Sequence, residues 1–222
     1  MKQAAFLRRA LALLGHDARR ETRQAQALAG SLLYLVAGVF AAQLLLRPVG
    51  PAAWLTFYWL LVLFVSIYTV SRSFLGQSRG LHLYYRVSVP GVAWWLTKVM
   101  TGTLMLWVLM GFCALLMALW MGYPIQDTGL FVLTLLLGAP MLVTVLTLVS
   151  AMSQGASQPA QLMPVLGFPL LVPGLLLVHR LSKLALDGLS WDLVWTYAGA
   201  MVGLNLMLLA LGVLLFPFLW RD

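Results

Sequence analysis

Six long apolar runs constrain this sequence more than any other feature. They lie near residues 28–46, 53–75, 93–121, 129–152, 161–179 and 194–219. A helix needs about 20 apolar residues to cross the hydrocarbon core of a bilayer, which is about 30 Å thick. A membrane barrel would instead show segments of about ten residues with alternating polarity, a pattern that this chain lacks. The runs therefore predict an all-α integral membrane protein with six transmembrane helices.

The composition excludes an ordinary water-soluble domain. Hydrophobic residues make up 62% of the 222 residues and charged residues only 9%, whereas a soluble domain has about 25% charged residues. The single cysteine, Cys113, cannot form an intramolecular disulfide. The net charge is +8, and the basic residues flank the apolar runs. We therefore expect membrane lipids, and no nucleic acid, as the partners of these charges.

The Lys and Arg residues also predict an orientation, because cytoplasmic loops are enriched in positive charge. With a cytoplasmic N-terminus and six spans, the C-terminus is cytoplasmic too. Of the 14 basic residues, only Arg47, Arg180 and Lys183 then lie on the far side, which leaves 11 on the cytoplasmic side. We expect both termini to be cytoplasmic.

The first 27 residues differ from the rest of the chain. Leu7, Leu11, Leu14 and Ala18 recur at helical spacing, while the arginines mostly fall elsewhere on the helix. A basic amphipathic helix of this kind lies in the membrane interface, and a plain solvated helix is the alternative. We predict a cytoplasmic interfacial helix over 1–27 and a six-helix transmembrane domain over 28–222.

Motifs for catalysis and energy coupling are missing from the sequence. There is no G-x-x-x-x-G-K-[ST] phosphate loop, and none of the lysines follows a glycine. No Asp or Glu lies in the middle of a span, which argues against a proton-coupled carrier and an intramembrane aspartyl protease. The scattered histidines and the lone cysteine predict no metal site. If the chain is a transporter, its energy comes from a partner.

The segment 76–91, between the second and third spans, is the main candidate site. It is cytoplasmic in the predicted topology and mixes basic, aromatic and polar residues. Because Tyr and Arg are enriched in protein interfaces, we interpret it as a docking helix for a soluble subunit; an interfacial loop with aromatic anchors is the alternative. The candidate docking residues are Arg79, Gly80, Leu81, His82, Tyr84, Tyr85 and Arg86.

Helix-breaking residues mark the fourth and fifth runs. An interior proline removes a backbone hydrogen bond and kinks a helix. The candidates for a hinged or pathway-lining helix are Pro140, Pro164, Pro169 and Pro173. A kinked packing helix is the alternative. In the last run, Gly199 and Gly203 form a G-x-x-x-G pattern, for which we expect packing within the subunit.

The order of these features resembles a type-2 ABC exporter permease and, more narrowly, the haem exporter protein B (CcmB) family. The residues that carry the resemblance extend over nearly the whole chain. They are Arg72-Ser-Phe74, Gly80-Leu81, Pro90 and Lys98, Leu133 to Pro140, Phe168 to Pro173, and Ser182 to Gly188.

The resemblance implies a non-catalytic permease subunit in the bacterial inner membrane, used in c-type cytochrome biogenesis. Two copies would pair with two ABC ATPase subunits, alongside a haem-handling membrane subunit and a haem chaperone. The ATPase would bind ATP and Mg²⁺ and grip the 76–91 segment. Its hydrolysis would drive release of the haem-loaded chaperone or haem export, and no cofactor is expected on this chain itself.

The segment departs from the family pattern in one respect. It carries no acidic residue between Arg72 and Lys98, so its docking surface is more basic than the resemblance implies. Two other functions stay open from the sequence alone. One is a type-2 exporter permease for a lipid, glycan or drug, and the other is a membrane scaffold or membrane enzyme, against which the missing catalytic residues count.

Overall fold

The computed structural model describes residues 25–45, 50–75, 91–153, 159–188 and 191–219. All regular secondary structure in these ranges is α-helical, which confirms the predicted fold class. The helices are α1 Ala25–Leu45, α2 Pro51–Leu75, α3 Gly91–Met121, α4 Thr128–Ser153, α5 Pro159–Asp187 and α6 Trp191–Leu219. The predicted interfacial helix lies outside the described residues, apart from its last three positions, which belong to α1.

The six helices correspond to the six predicted spans. By length and composition, α2 to α6 each contain a stretch that is able to cross a membrane, and α1 contributes a shorter apolar stretch, Ala29–Leu45. The whole of α1 has 21 residues. At 1.5 Å per residue its length is close to the thickness of the hydrocarbon core. It also packs against α2 and α3, so it belongs to the same bundle.

The turn between α3 and α4 follows from residues that the sequence shows directly. Gly122 adopts a φ of +83° and its N–H donates to the Ala118 carbonyl at 3.1 Å, an ending that favours glycine. Asp127 then caps α4, because its Oδ1 accepts the N–H of Leu130 at 2.9 Å. The Asp127 N–H donates to the Ala185 carbonyl at 2.9 Å. The turn is thereby fastened to the end of α5.

The fifth helix is longer than predicted, and the predicted end at His179-Arg180 is wrong. The helix continues to Asp187. Arg180 and Lys183 are exposed on it, whereas Leu181, Ser182 and other residues of the opposite face are buried. The charged residues that suggested a loop instead form the outer face of two further helical turns.

The central element of the bundle is α4. It contacts α2, α3, α5 and α6, and every residue from Met141 to Ser150 is buried. Lipid tails are as apolar as leucine, so burial alone gives little driving force between membrane helices. The buried half of α4 carries small hydroxyl side chains, such as Thr147, whose Oγ1 donates to the Val143 carbonyl of the same helix at 2.8 Å. Small residues of this kind let neighbouring helices approach closely.

An aromatic cluster ties α2 to its neighbours near the start of that helix. It consists of Trp54, Tyr58, Trp59, Tyr123 and Phe131. Trp54 stacks on Tyr58 with ring centroids 5.6 Å apart, and Phe131 of α4 meets Tyr58 edge-on at 5.3 Å. The Tyr58 hydroxyl donates to the Met110 carbonyl of α3 at 3.1 Å. The cluster therefore joins α2, α3 and α4.

The lone cysteine lies in the interior of α3. Cys113 is fully buried and its thiol is free. It belongs to the same apolar core as Tyr58 and Met110. A buried cysteine without a partner cysteine acts as a small hydrophobic residue.

Candidate functional site

The predicted docking segment falls between the described ranges. Residues 76–90 lie outside them, so the docking role of Arg79, Gly80, Leu81, His82, Tyr84, Tyr85 and Arg86 stays a prediction. The structure describes the two helices that lead into and out of the segment: α2 ends at Leu75 and α3 begins at Gly91.

The end of α2 carries a cation fixed by an aromatic side chain. Arg72 Nη1 donates to the Tyr68 hydroxyl at 2.6 Å, and the guanidinium carbon lies 5.8 Å from the centre of the Tyr68 ring. The α1 backbone comes close at this point, because a Cβ added to Gly30 would lie 2.6 Å from the same hydroxyl. Ser31 and Thr69 also lie within hydrogen-bond distance, with their hydroxyls 3.4 Å apart. The ends of α1 and α2 are thus joined beside the docking segment.

The start of α3 contains a second cation, and this one is buried. Lys98 is only 8% exposed, and its Nζ lies 6.0 Å from the centre of the Trp94 ring, a cation–π distance. Phe216 of α6 stacks on Trp94 at 5.7 Å. Arg72 and Lys98 therefore place positive charge on both helices that flank the docking segment.

The proline predicted in the fourth span lies inside a tightly packed turn. We call residues 137–141 of α4 the proline turn. Pro140 is half-buried within the helix and has no N–H to donate to the Leu136 carbonyl. Gly138 admits the ring of Trp59, since an added Cβ would lie 3.0 Å from that ring and 3.2 Å from Val178. Close contacts from α2 and α5 therefore hold one side of the turn.

A hydrogen bond between side chains fixes the Trp59 ring in this position. Trp59 Nε1 donates to Ser182 Oγ at 2.8 Å, and both residues are buried. The Ser182 hydroxyl in turn donates to the Val178 carbonyl at 2.7 Å. The ring is therefore held from α5 while its edge lies on Gly138 of α4.

The other side of the proline turn is held by Asn205 of α6. Its Nδ2 donates to the Leu137 carbonyl at 3.1 Å and to the Met201 carbonyl of its own helix at 3.0 Å. Asn205 is 9% exposed. Its Oδ1 is buried and finds no donor within the described ranges.

The remaining predicted prolines lie on α5. Pro169 and Pro173 are exposed on the outer surface of the helix. Pro164 belongs to the helical stretch of α5, although its side chain is outside the described part. The pathway role of all four prolines stays a prediction.

The glycine pattern of the last span does not pack within the subunit as expected. Gly199 and Gly203 are exposed, and an added Cβ would meet nothing within 4 Å at either position. Their face of α6 points away from the other helices.

No metal site is present in the part of the chain that the structure describes, since no three His, Cys, Asp or Glu side chains come together there. The described carboxylates lie at helix ends, as at Asp127 and Asp187. The described residues therefore offer two separate features: a packed proline turn in α4, and two basic side chains, Arg72 and Lys98, on the helices that flank the predicted docking segment.

Comparison with known proteins assigns the family. The family model described as CcmB protein matches residues 8–219, which is all but the first seven and the last three residues. The chain belongs to the CcmB family. A search of curated proteins found no match. The described helices fit this membership, since CcmB proteins are multi-pass membrane proteins.

Membership in the CcmB family establishes the general role. The chain is a membrane permease subunit of an ABC transporter for haem handling in cytochrome c maturation. Membership also implies ABC transporter partners. The suspected resemblance is thereby confirmed.

Sequence reasoning missed Asn205 and the pair formed by Trp59 and Ser182. Asn205 is the only asparagine in the chain, and it lies in the middle of an apolar run. A lone carboxamide at that depth was the signal, because polar groups inside a membrane are costly and are kept for packing or function. Trp59 and Ser182 are 123 positions apart, and no local pattern pairs them.

Proposed function

We propose that this CcmB-family chain couples ATP hydrolysis by a partner ATPase to release of a haem-loaded chaperone, or to haem export. Two copies pair with two ATPase subunits in the bacterial inner membrane. A haem-handling membrane subunit and a haem chaperone complete the assembly. The observation that carries the proposal is the family match over residues 8–219, together with a sequence that has no phosphate loop of its own.

The docking surface proposed for the ATPase is the 76–91 segment. Arg72 and the buried Lys98 lie on the helices at its two ends. Arg79 and Arg86 lie within the segment and Arg72 lies just before it, so the proposed surface is basic, which suits a partner surface rich in carboxylates. A conformational change of the ATPase would be transmitted to the helix bundle through α2 and α3.

The function is tested in a host from which the gene is deleted. Covalent c-type cytochromes are stained by haem peroxidase activity, with and without the gene restored. Loss of the signal in the deletion strain, with recovery on complementation, supports the haem-delivery role. A normal signal in the deletion strain would reject it and favour an exporter permease for a lipid, glycan or drug.

The docking surface has its own test. Arg79→Glu combined with Arg86→Glu should lower the amount of ATPase that co-purifies with the chain. The matched control is Arg180→Glu with Lys183→Glu, two exposed basic residues of α5 on the far side in the predicted topology. Equal recovery of the ATPase from both pairs would contradict docking at this segment.

The proposed orientation places both termini in the cytoplasm. Fusions of a fluorescent protein to either terminus should fluoresce, and fusions of alkaline phosphatase should be inactive. An active phosphatase at the C-terminus would overturn the six-span topology. His179 could in principle ligate a haem iron, but a lone histidine near a span end is more often only hydrogen-bonded, so we expect His179→Ala to leave cytochrome formation intact.

A further inference from the structure

The only asparagine of the chain occupies the middle of its last helix. Asn205 lies 14 residues from Trp191 and 14 from Leu219, the two ends of α6. Transfer of an amide from water to an apolar environment costs several kcal/mol unless it is hydrogen-bonded. Asn205 is nine-tenths buried, so its amide needs hydrogen-bond partners among the helices packed around it.

The hydrogen bonds of Asn205 cross from α6 to the weakest turn of α4. Pro140 cannot serve the Leu136 carbonyl, and Asn205 Nδ2 donates to the next carbonyl along, that of Leu137, at 3.1 Å. In a membrane, neighbouring helices have to supply donors where a proline interrupts the backbone ladder. Asn205 of α6 donates to the Leu137 carbonyl, which is the neighbour of the Leu136 carbonyl that Pro140 leaves without its helical donor.

On the opposite side of the same turn, the neighbouring side chains make van der Waals contacts. A Cβ added at Gly138 would lie 3.0 Å from the Trp59 ring and 3.2 Å from Val178, so both side chains pack tightly against this position. One helical turn away, Gly174 of α5 fits against Met141. These apolar contacts resist compression of the turn but do not bind its carbonyls. The polar link from α6 therefore has a separate role.

We propose that Asn205 is a positioning residue that fastens the proline turn of α4 to α6, so that both helices move together during the transport cycle. Its hydrogen-bond partner is the Leu137 carbonyl, in the turn where Pro140 removes one backbone hydrogen bond. The proposal rests on the proposed function, since the cycle is that of the ATP-driven complex. The fastening itself is a property of the chain and is measured separately.

The first experiment measures the fastening without reference to transport. In the purified complex, hydrogen–deuterium exchange of the α4 amides is compared between the wild type and Asn205→Leu. We expect faster exchange in residues 138–142, with α3 unchanged. Thr144→Val is the matched control, because the Thr144 hydroxyl is buried and makes no hydrogen bond to the described residues. Equal exchange in the wild type and Asn205→Leu would overturn the proposal, even if haem delivery is confirmed.

The second experiment uses Pro140→Ala to test whether the hydrogen bond from Asn205 matters because of the proline. This change returns an N–H for the Leu136 carbonyl and restores the backbone hydrogen bond beside Leu137, so the turn should depend less on the hydrogen bond from Asn205. An average hydrogen bond between membrane helices changes an equilibrium about threefold. We expect Asn205→Leu to lower cytochrome c formation about threefold in the wild-type background. ATP hydrolysis by the complex should be retained, because hydrolysis takes place on the partner subunit.

The same change in the Pro140→Ala background should lower cytochrome c formation less than twofold. An equal loss in both backgrounds would show that Asn205 does not serve the proline turn, and would overturn the proposal. The amount of each variant in the membrane is measured beside its activity, and Asn205→Gln, which keeps the carboxamide, should retain more activity than Asn205→Leu. If wild-type complementation itself fails, the proposed function is rejected and the exchange experiment alone decides the fastening.

Discussion

Helices α4 and α6 are both apolar enough to cross a membrane, but they occupy opposite positions in the bundle. In the most apolar stretch of α4, 67% of the residues are buried, compared with 22% in α6. Hydropathy therefore predicts which segments enter the membrane and says nothing about which lies at the centre. In this chain, small hydroxyl side chains separate the two helices better. The Thr and Ser residues from Thr144 to Ser153 in α4 are all buried, while Thr196 of α6 is exposed.

Glycine spacing is a poorer guide than these hydroxyls. Gly138 of α4 and Gly212 of α6 lie against tryptophan rings, Trp59 and Trp95 respectively. Gly199 and Gly203, the pair with the recognised G-x-x-x-G spacing, meet nothing. A glycine matters for packing where a large side chain from another helix faces it. The spacing along its own helix does not decide this.

The largest effect is expected from filling the closest approach to α4. Gly138→Leu should destabilise the protein by about 1 to 3 kcal/mol, because the side chain would displace Trp59 and Val178 from a packed core. The measurement is unfolding of the purified protein in mixed micelles. Gly199→Leu is the control on α6 and should change stability little. Equal destabilisation by the two would break the contrast between the helices.

A smaller effect is expected from the hydrogen bond that holds the Trp59 ring on Gly138. Ser182→Ala removes the acceptor at 2.8 Å and leaves a buried indole N–H unpaired, at a cost of about 1 kcal/mol. Thr56→Ala is the control, since the exposed Thr56 hydroxyl donates only to the Ala52 carbonyl of its own helix. The unfolding midpoint of Ser182→Ala should fall below that of Thr56→Ala. The reverse order would show that the Trp59 ring needs no support from α5.

The contact between Gly174 and Met141 should give way more easily. Gly174→Ala places a methyl group against a flexible side chain, so the loss of stability should be less than for Gly138→Leu. Met141→Ala opens space at this position, so it should reduce the penalty of Gly174→Ala when the two changes are combined. Simple additivity of the two unfolding free energies would contradict direct contact as the cause.

The smallest effect is expected on the outer face of α6. Gly203→Ala should leave the subunit as stable as before or slightly more so, because alanine favours helix by about 1 kcal/mol over glycine and nothing faces it. Unfolding of the isolated chain and recovery of the intact complex are measured together. If the isolated chain is destabilised, this face is not free in the subunit and the contrast with α4 is weaker than described.

Most helix bounds in this chain could be predicted from the sequence, because residues close to each end determine where the helix stops. Gly122 and Asp127 end α3 and begin α4 within a residue or two of the predicted bounds. The end of α5 could not be predicted in the same way, because charged residues such as Arg180 and Lys183 are typical of loops. Only the burial of their neighbours shows that they lie on the outer face of a helix. Charge at a span end therefore needs to be weighed against the periodicity around it.

The candidate site was less predictable than the fold. Pro140 was found as a helix breaker, but its partners come from other helices: Trp59 from α2, Val178 from α5 and Asn205 from α6. Each contact joins residues that are far apart in sequence, and periodicity carries no information on such pairs. The sequence offered one sign of the Asn205 contact, a single asparagine in an apolar run, and that sign was missed.

The burial of Cys113 has a practical consequence. A thiol with no exposed surface is shielded from membrane-impermeant maleimides and from oxidants in the surrounding medium. The native chain therefore behaves toward such reagents as if it had no cysteine. Single cysteines introduced at exposed positions can be labelled or cross-linked without first removing Cys113 and disturbing the core around Tyr58 and Met110.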